Sequence, residues 1–309
     1  MSIPVIMDCD PGHDDAIALV LAVASPEIDL RAVTTSAGNQ TIEKTTLNAR
    51  KVLSFLGSEV PVGRGAPRPL FRDLIIAPQV HGESGLDGPA LPEPKLPESP
   101  LSAVELMVRT LRESDRKVTL VPTAALTNVA ALFLAYPELK AKIERIVLMG
   151  GSAIGGNWTP AAEFNILVDP EAARVVFGSG LPMTMCGLDV THKALVTRDD
   201  VERFRAIGKR TAIMVAELLD FFKKFHEANL DLAGSPLHDP CTIVWLVAPD
   251  LFTSKRAHVD IECRGRVSTA ATVVDFRGRE GRDMNVDVVV DVDRPRFIDF
   301  IHDALRRLD

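Results

Sequence analysis

Short apolar runs alternate with helical patterns along the first two thirds of the chain. The runs are bounded by turn residues and favour strands, whereas the segments between them repeat apolar positions with the period of a helix. The predicted strands are residues 4–9, 30–35, 118–121, 143–149 and 182–186. The predicted helices are residues 16–24, 44–56, 103–111 and 127–136. This alternation is typical of a parallel sheet with helices on both faces.

The last part of the chain has a different pattern. Three predicted strands, residues 257–263, 270–275 and 285–292, follow one another closely before a final helix from about residue 295. We therefore predict an α/β fold that is Rossmann-like, with a mostly parallel central sheet flanked by helices and an antiparallel C-terminal addition. No linker divides the chain, and we expect one domain over residues 1–309.

Composition narrows the classes of partner. The net charge is −7 and 46% of the residues are hydrophobic, which is typical of a globular protein with a large core. An acidic protein without a basic run is a poor partner for nucleic acid or an anionic membrane surface. The longest apolar stretch, residues 16–24, is too short to span a bilayer, and the first residues lack the pattern of a signal peptide. We expect a cytoplasmic protein.

Polar side chains cluster after the predicted strands. In open parallel sheets, ligands bind at the carboxyl ends of the strands. The polar residues that follow the strands are Asp8, Asp10, Asp14, Asp15, Asn39, Thr123, Asn157, Glu163 and Asn165. We expect these residues to line one site.

The N-terminal motif, residues 8–15, contains four aspartates. Carboxylates held so close together cannot all stay ionised without a proton or a cation, and a hard divalent ion with oxygen ligands is the simple remedy. In the alternative, Asp14 and Asp15 favour the positive end of a helix dipole, and Asp8 binds the backbone. We expect a metal site.

The segment His238-Asp239-Pro240 also has two interpretations. Asp before Pro is an ordinary start of a helix, with Asp as the N-cap residue. Alternatively, Asp239 is a distant carboxylate that completes the coordination of the metal, with the adjacent imidazole available for proton transfer.

Several motifs in order along the chain resemble the inosine-uridine-preferring nucleoside hydrolase family. They include DCDPGHDD at residues 8–15, SAGN at 36–39, HGESGLDG at 81–88, PAAEFN at 160–165 and HDP at 238–240. The similarity covers essentially the whole chain. Within the family, the segments GLDVTHK at 187–193 and ELLDFF at 217–222 look most like the bacterial pyrimidine-specific ribonucleoside hydrolases.

The resemblance implies hydrolysis of the N-glycosidic bond of ribonucleosides, with uridine and cytidine preferred, to ribose and free base in nucleoside salvage or catabolism. It implies one Ca²⁺ held by Asp10, Asp15, Asp239 and the backbone carbonyl of Thr123, with Asp10 also acting as the general base. His81 and His238 would lie near the base and assist its departure. The implied substrate-binding residues are Asp14, Asn39, Met149, Asn157, Glu163, Asn165 and His226. The family also suggests a homotetramer or homodimer.

One segment departs from the family pattern. The usual Thr-Gly-Pro-Leu-Thr-Asn is Thr-Ala-Ala-Leu-Thr-Asn here, at residues 123–128. A carbonyl ligand does not depend on the identity of the side chain, so metal binding should persist. An alternative within the class is a purine-accepting or nonspecific nucleoside hydrolase.

Two rivals come from other classes of protein. One is a nucleoside-binding or ribose-binding protein, which would need the sugar contacts but no activated water. The other is a Mg²⁺-dependent phosphatase, because Asp8-x-Asp10 after the first strand resembles the paired aspartates of haloacid-dehalogenase-type hydrolases. Such phosphatases need a nucleophilic Asp and a downstream Lys.

Overall fold

The computed structural model describes residues 2–229, 233–279 and 281–309, with the backbone alone for residues 225–229. The strands are β1 (Ile3–Cys9), β2 (Ile28–Thr35), β3 (Val62–Arg64), β4 (Val118–Pro122), β5 (Ile143–Met149), β6 (Met183–Cys186), β7 (Leu195–Val196), β8 (Ser235–Pro236), β9 (Phe252–Ile261), β10 (Thr272–Asp275) and β11 (Val286–Val292). The helices are α1 (His13–Ala24), α2 (Ile42–Phe55), α3 (Pro78–His81), α4 (Ala103–Glu113), α5 (Thr127–Ala135), α6 (Phe164–Val168), α7 (Pro170–Phe177), α8 (Leu188–Thr191), α9 (Arg198–Arg205), α10 (Arg210–Asn229), α11 (Pro240–Val247) and α12 (Arg294–Arg307). Short 3-10 helices span Pro137–Lys142 and Pro249–Leu251. None of these helices, within the described ranges, is long and apolar enough to cross a membrane.

Nine strands form the central sheet, in the order β10-β9-β11-β6-β5-β4-β1-β2-β3. All neighbours from β11 to β3 are parallel, whereas β9 pairs antiparallel with both β10 and β11. The predicted fold class is confirmed. The antiparallel part comprises β9 and β10, since β11 joins β6 in the parallel direction.

The sheet separates two apolar cores. Val5 and Met7 of β1 pack into one core with α1, α10, α11 and α12, while Ile6 packs into the other with α4, α5 and α7. This alternation follows from the two-residue period of a strand. Central strands are buried on both faces, which explains why the sequence shows them as continuous apolar runs.

The carboxyl edge of the sheet brings together segments that lie far apart in the sequence. Strands β5, β4, β1 and β2 are consecutive neighbours, so the residues that follow them meet at one edge. Helix α1 begins at His13, three residues before the predicted start. The earlier start places Asp14 and Asp15 in the first turn, where the N–H of Gly12 donates to Oδ2 of Asp15 at 3.1 Å.

The last helix packs on the same core as the first strand. Phe297 of α12 is fully buried in the core that contains Val5 and Met7. We expect Phe297→Ala to lower the free energy of unfolding by about 3–5 kcal/mol, the usual cost of removing a buried aromatic ring. Urea denaturation measures this change. Phe71→Ala is the control, because Phe71 is 82% exposed and should change stability by less than about 0.5 kcal/mol. Equal effects of the two variants would contradict this packing.

Candidate active site

A cavity of about 270 Å³ opens at the carboxyl edge of the sheet. This volume is close to roughly 300 Å³, the lower end of the range of volumes of small-molecule binding sites. Ten of the predicted site residues line it: Asp14, Asn39, His81, Thr123, Met149, Asn157, Glu163, Asn165, His238 and Asp239. Six further residues complete the lining: Ala77, Val80, Trp158, Phe164, His192 and Phe222. The lining described here contains acids, amides, histidines and apolar rings, but no lysine or arginine.

Asn39 connects two buried carboxylates of the N-terminal motif. Its backbone N–H donates to Oδ2 of Asp10 at 2.6 Å, and its side-chain Nδ2 donates to Oδ1 of Asp10 at 3.3 Å. The same Nδ2 donates to Oδ2 of Asp15 at 3.0 Å. Gly38 makes this approach possible, since a Cβ there would overlap the Asp10 carboxylate. Asn39 therefore fixes the relative positions of Asp10 and Asp15.

Asp14, Asp15 and Asp239 form the tightest acidic group. Each offers a carboxylate oxygen within 4.8 Å of those of the other two, and all three side chains are buried. The hydroxyl of Thr123 donates to Oδ1 of Asp15 at 2.8 Å. Asp10 contacts this group through Asn39. The predicted metal-binding residues thus lie close together, and Asp14 lies among them.

Asp239 precedes α11, but its side chain does not cap that helix in the described structure. Its carboxylate belongs to the acidic group instead. Of the two interpretations of His238-Asp239-Pro240, the geometry agrees with the distant carboxylate. Asp8 behaves differently, because its Oδ1 accepts hydrogen bonds from Thr34 at 2.7 Å and Asn128 at 2.8 Å, which tie β1 to β2 and α5.

The acidic group cannot hold all its negative charges alone. Burial raises the pKa of Asp10 well above its usual range, and the charge of Asp15 raises it further. Burial and the charge of Asp14 do the same to the pKa of Asp239. Burial raises the pKa of Asp14 to about 7 and that of Asp15 to about 6. Hard oxygen donors with this need for positive charge fit a hard divalent cation.

The opposite wall of the cavity is built around Glu163. Its carboxylate caps the start of α6 by accepting hydrogen bonds from the backbone N–H groups of Asn165 at 2.9 Å and Ile166 at 3.1 Å. It also accepts one from the N–H of Gly151, after β5, at 2.9 Å. Burial raises the pKa of Glu163 although these donors lower it. This network places Asn165 and the end of β5 beside each other.

Asn165 links this wall to the acidic group. Its Nδ2 donates to the backbone carbonyl of Thr123 at 2.9 Å and to that of Met149 at 3.3 Å. A carbonyl oxygen has two lone pairs, so the Thr123 oxygen keeps one for a second partner. Asn157 is exposed, and its Oδ1 accepts from the N–H of Phe164 at 3.0 Å.

Two of the three predicted histidines lie in the cavity wall. His81 is buried at the end of α3, and His238 lies beside Thr191, with 2.8 Å between His238 Nδ1 and the Thr191 hydroxyl. The side chain of His226 lies outside the described residues, so its predicted role stays a prediction.

Sequence reasoning missed several residues of the lining. His192 follows β6 and α8, and its ring lies 5.9 Å from that of His238, centroid to centroid. Burial lowers the pKa of His192. The rule that polar residues follow each strand would have found it if applied to β6. Trp158 and Phe164, with ring centroids 4.6 Å apart, carry no comparable signal in the sequence.

The family model for inosine-uridine preferring nucleoside hydrolases matches residues 5–299. The pyrimidine-specific ribonucleoside hydrolase RihA of Enterobacter sp. (strain 638) is 58% identical over 307 residues, which cover 99% of this chain and 98% of that protein. RihA of Escherichia coli O1:K1 / APEC is 56% identical over 308 residues, or 99% of each chain. Among solved structures, the purine-preferring ribonucleoside hydrolase from Gardnerella vaginalis has a TM-score of 0.92 at 32% identity, over 98% of both chains.

The chain belongs to the inosine-uridine preferring nucleoside hydrolase family. It is a ribonucleoside N-glycosyl hydrolase of the metal-dependent kind, and its acidic group is the candidate metal centre. The resemblance found in the sequence is thereby confirmed. The family match does not support the phosphatase alternative, because it identifies the chain as a nucleoside hydrolase.

The acidic group gives a prediction that does not depend on catalysis. We expect a divalent cation at a hundredfold excess over its Kd to stabilise the folded protein by about 2.7 kcal/mol. Thermal unfolding with added cation, against a chelator, measures the shift. Asp15→Asn should remove most of this stabilisation, because it removes one charge from the group. Asp73→Asn, at an exposed position, should leave it unchanged. An equal shift in all three proteins would place the cation elsewhere.

Proposed function

We propose that the protein hydrolyses pyrimidine ribonucleosides, uridine and cytidine foremost, to ribose and free base with one bound Ca²⁺. One observation carries this proposal: one cavity gathers acids, amides and histidines from five separate segments for which the family resemblance implies contacts with metal, ribose and base. The reaction breaks an N-glycosidic bond, which requires a nucleophilic water, a stabilised ribosyl cation and a better leaving group.

Asp10, Asp15, Asp239 and the carbonyl oxygen of Thr123 would hold the cation. Ca²⁺ bound there would offset the charge of the carboxylates and make a neighbouring water more acidic. Calcium fits this set because all its donors are oxygens, three of them from carboxylates. Asn165 already occupies one lone pair of the Thr123 carbonyl and thereby orients the other.

Asp10 is the general base of the proposed reaction. Its carboxylate is fully buried and held from two sides by the amide groups of Asn39. A fixed carboxylate can accept the proton of the attacking water without first reorganising. The water then adds to C1′ of the ribose as the bond to the base breaks.

The ribose would be held by Asp14, Asn39, Asn165 and Glu163, with Asn157 and Met149 beside them. These groups come from α1, the end of β2, α6 and the loops near β5, so the sheet edge fixes their spacing. Hydrogen bonds to the ribose hydroxyls that strengthen as positive charge develops on the sugar lower the barrier, as in other glycoside hydrolyses.

The departing base would meet His238 and His81. His238 is held by Thr191, and either imidazole can donate a hydrogen bond or a proton to the leaving base. His226 is a further proposed contact of the base. The high identity to pyrimidine-specific relatives supports the preference for uridine and cytidine.

We also propose that residues 1–309 form one domain that works in the cytoplasm as a homodimer or homotetramer. A core shared by β1 and α12, which lie at opposite ends of the chain, supports one domain. Free, mostly buried cysteines are consistent with a reducing compartment.

The central experiment is a reducing-sugar assay on uridine, cytidine, inosine and xanthosine, with and without chelator. We expect release of ribose from the two pyrimidine nucleosides and its loss with chelator. Asp10→Asn is the matched inactive control. Uridine monophosphate should be a poor substrate, because the described lining is acidic and would repel its phosphate. Faster hydrolysis of inosine would replace the pyrimidine preference, and binding of nucleosides without turnover would replace the enzyme by a binding protein.

His238→Ala separates a role in leaving-group departure from other losses. We expect it to reduce kcat on uridine by roughly 100-fold or more, the range for general acids. Nitrophenyl riboside, whose leaving group needs no proton, should lose much less. His258→Ala, on β9 outside the described lining, is the control. Equal losses on both substrates would argue against this role of His238.

A further inference from the structure

His13 is the first residue of α1, between Gly12 and Asp14 in the sequence, and its side chain is fully buried. It is not among the residues that line the cavity, and its only feature in the sequence is its place in the N-terminal motif. Its ring nevertheless lies directly behind His81, which does line the cavity. The two residues come from segments 68 positions apart in the chain.

Both ring nitrogens of His13 face hydrogen-bonding atoms. Nε2 lies 2.8 Å from the backbone carbonyl oxygen of Asp87, and Nδ1 lies 3.2 Å from Nδ1 of His81. A carbonyl only accepts, so Nε2 of His13 carries a proton. Two bare nitrogens at 3.2 Å would repel each other, so a proton lies between the two Nδ1 atoms.

The backbone of residues 12–13 makes a second, close contact with Nδ1 of His81. The backbone N–H of His13 donates to the same Nδ1 of His81 at 3.3 Å. A Cβ on Gly12 would lie 2.5 Å from that atom, so only glycine lets His81 approach the helix this closely. Nδ1 of His81 is therefore turned toward α1, and a contact with substrate through a ring nitrogen would use Nε2.

Aromatic packing fixes the plane of the His13 ring. It stacks on Phe221 at 5.1 Å with an interplanar angle of 0°, and on Phe222 at 5.5 Å. Phe222 also stacks on His81 at 5.6 Å and lines the cavity. His13 thus connects the N-terminus of α1, helix α10 and the segment that carries His81.

The segment after His81 folds back on Asp87, the residue whose backbone carbonyl contacts His13. The carboxylate of Asp87 accepts from the N–H of Glu83 at 3.0 Å and from that of Ser84 at 3.1 Å. His81 ends a helix of only four residues. Such a short helix cannot by itself hold a side chain rigidly, so the contacts of His13 at both ends of residues 81–87 supply the anchor.

We infer that His13 is a positioning residue that docks residues 81–87 on the metal-binding turn and thereby fixes the ring of His81 at the end of the cavity where the base leaves. This inference rests on the proposed function in its assignment of His81 to the base. His13 acts through His81, and since its ring nitrogens are engaged by Asp87 and His81, it is not a ligand of the cation.

Three variants separate the contacts of His13. His13→Phe keeps the ring stacked on Phe221 and removes both nitrogens. His13→Asn places an amide near the position of Nδ1 and can keep the contact with His81. His13→Gln places an amide near the position of Nε2 and can keep the bond to Asp87. His81→Ala, alone and combined with His13→Phe, completes a double-mutant cycle.

We expect His13→Phe to lower kcat/KM for uridine by roughly tenfold to 100-fold, the size of effect that a small misplacement of a contact group produces. His13→Asn should retain more activity than His13→Phe. In the His81→Ala background, His13→Phe should cost less than about twofold further, because its partner is already gone. The cation-dependent shift in thermal unfolding should persist in His13→Phe.

Several results would contradict the positioning role of His13. A full loss from His13→Phe in the His81→Ala background, no loss in the native background, or loss of the cation shift would each overturn the inference. Crystal structures of His13→Phe and His13→Asn give a readout independent of turnover: we expect the His81 ring to rotate in the first and stay in the second. An unmoved ring in His13→Phe would overturn the inference even if the proposed substrates were wrong. Absence of wild-type turnover would instead refute the proposed function alone.

Discussion

Repulsion among buried carboxylates is the constraint on which the site depends. Asp14, Asp15 and Asp239 place oxygens within 4.8 Å of one another, away from water, and Asp10 lies next to them. No folded chain keeps such a group ionised without compensating positive charge. The described residues supply only partial relief, from the N-terminus of α1, the amide of Asn39 and the hydroxyl of Thr123. A divalent cation supplies the remaining positive charge. The arrangement of the acidic side chains therefore depends on metal binding.

The surrounding architecture follows from holding that group in place. Parallel strands point their carboxyl ends to one edge, so the residues that follow the neighbouring strands β5, β4, β1 and β2 meet at the site. Asn39 and Asn165 then act as connectors, the first between two carboxylates and the second between the Thr123 carbonyl and the end of β5. Amides suit this task because they donate without adding charge.

Around His81, the side chains of the site are held by aromatic packing rather than by charge. A stack of four rings joins α1 and α10 to the end of α3; its members are His13, Phe221, Phe222 and His81. The stack connects the acidic turn to His81 in the cavity wall. Variants of His13 therefore need to be tested for cation binding as well as for turnover.

The sequence alone determined the sheet, most of its strands and the acidic motif, because each of these is written in local patterns: apolar runs for buried strands and four aspartates around a tight turn. The strand-end rule identified six residues of the described cavity lining, because residues at the carboxyl ends of parallel strands converge, and the family resemblance and the HDP motif supplied His81, Met149, His238 and Asp239. Only the tertiary structure decided between the two interpretations of Asp239, because whether a carboxylate caps its own helix or joins a distant group depends on the packing of α11. Likewise, the contacts of His13 became visible only in the structure, since its partners His81, Asp87 and Phe221 come from distant parts of the chain.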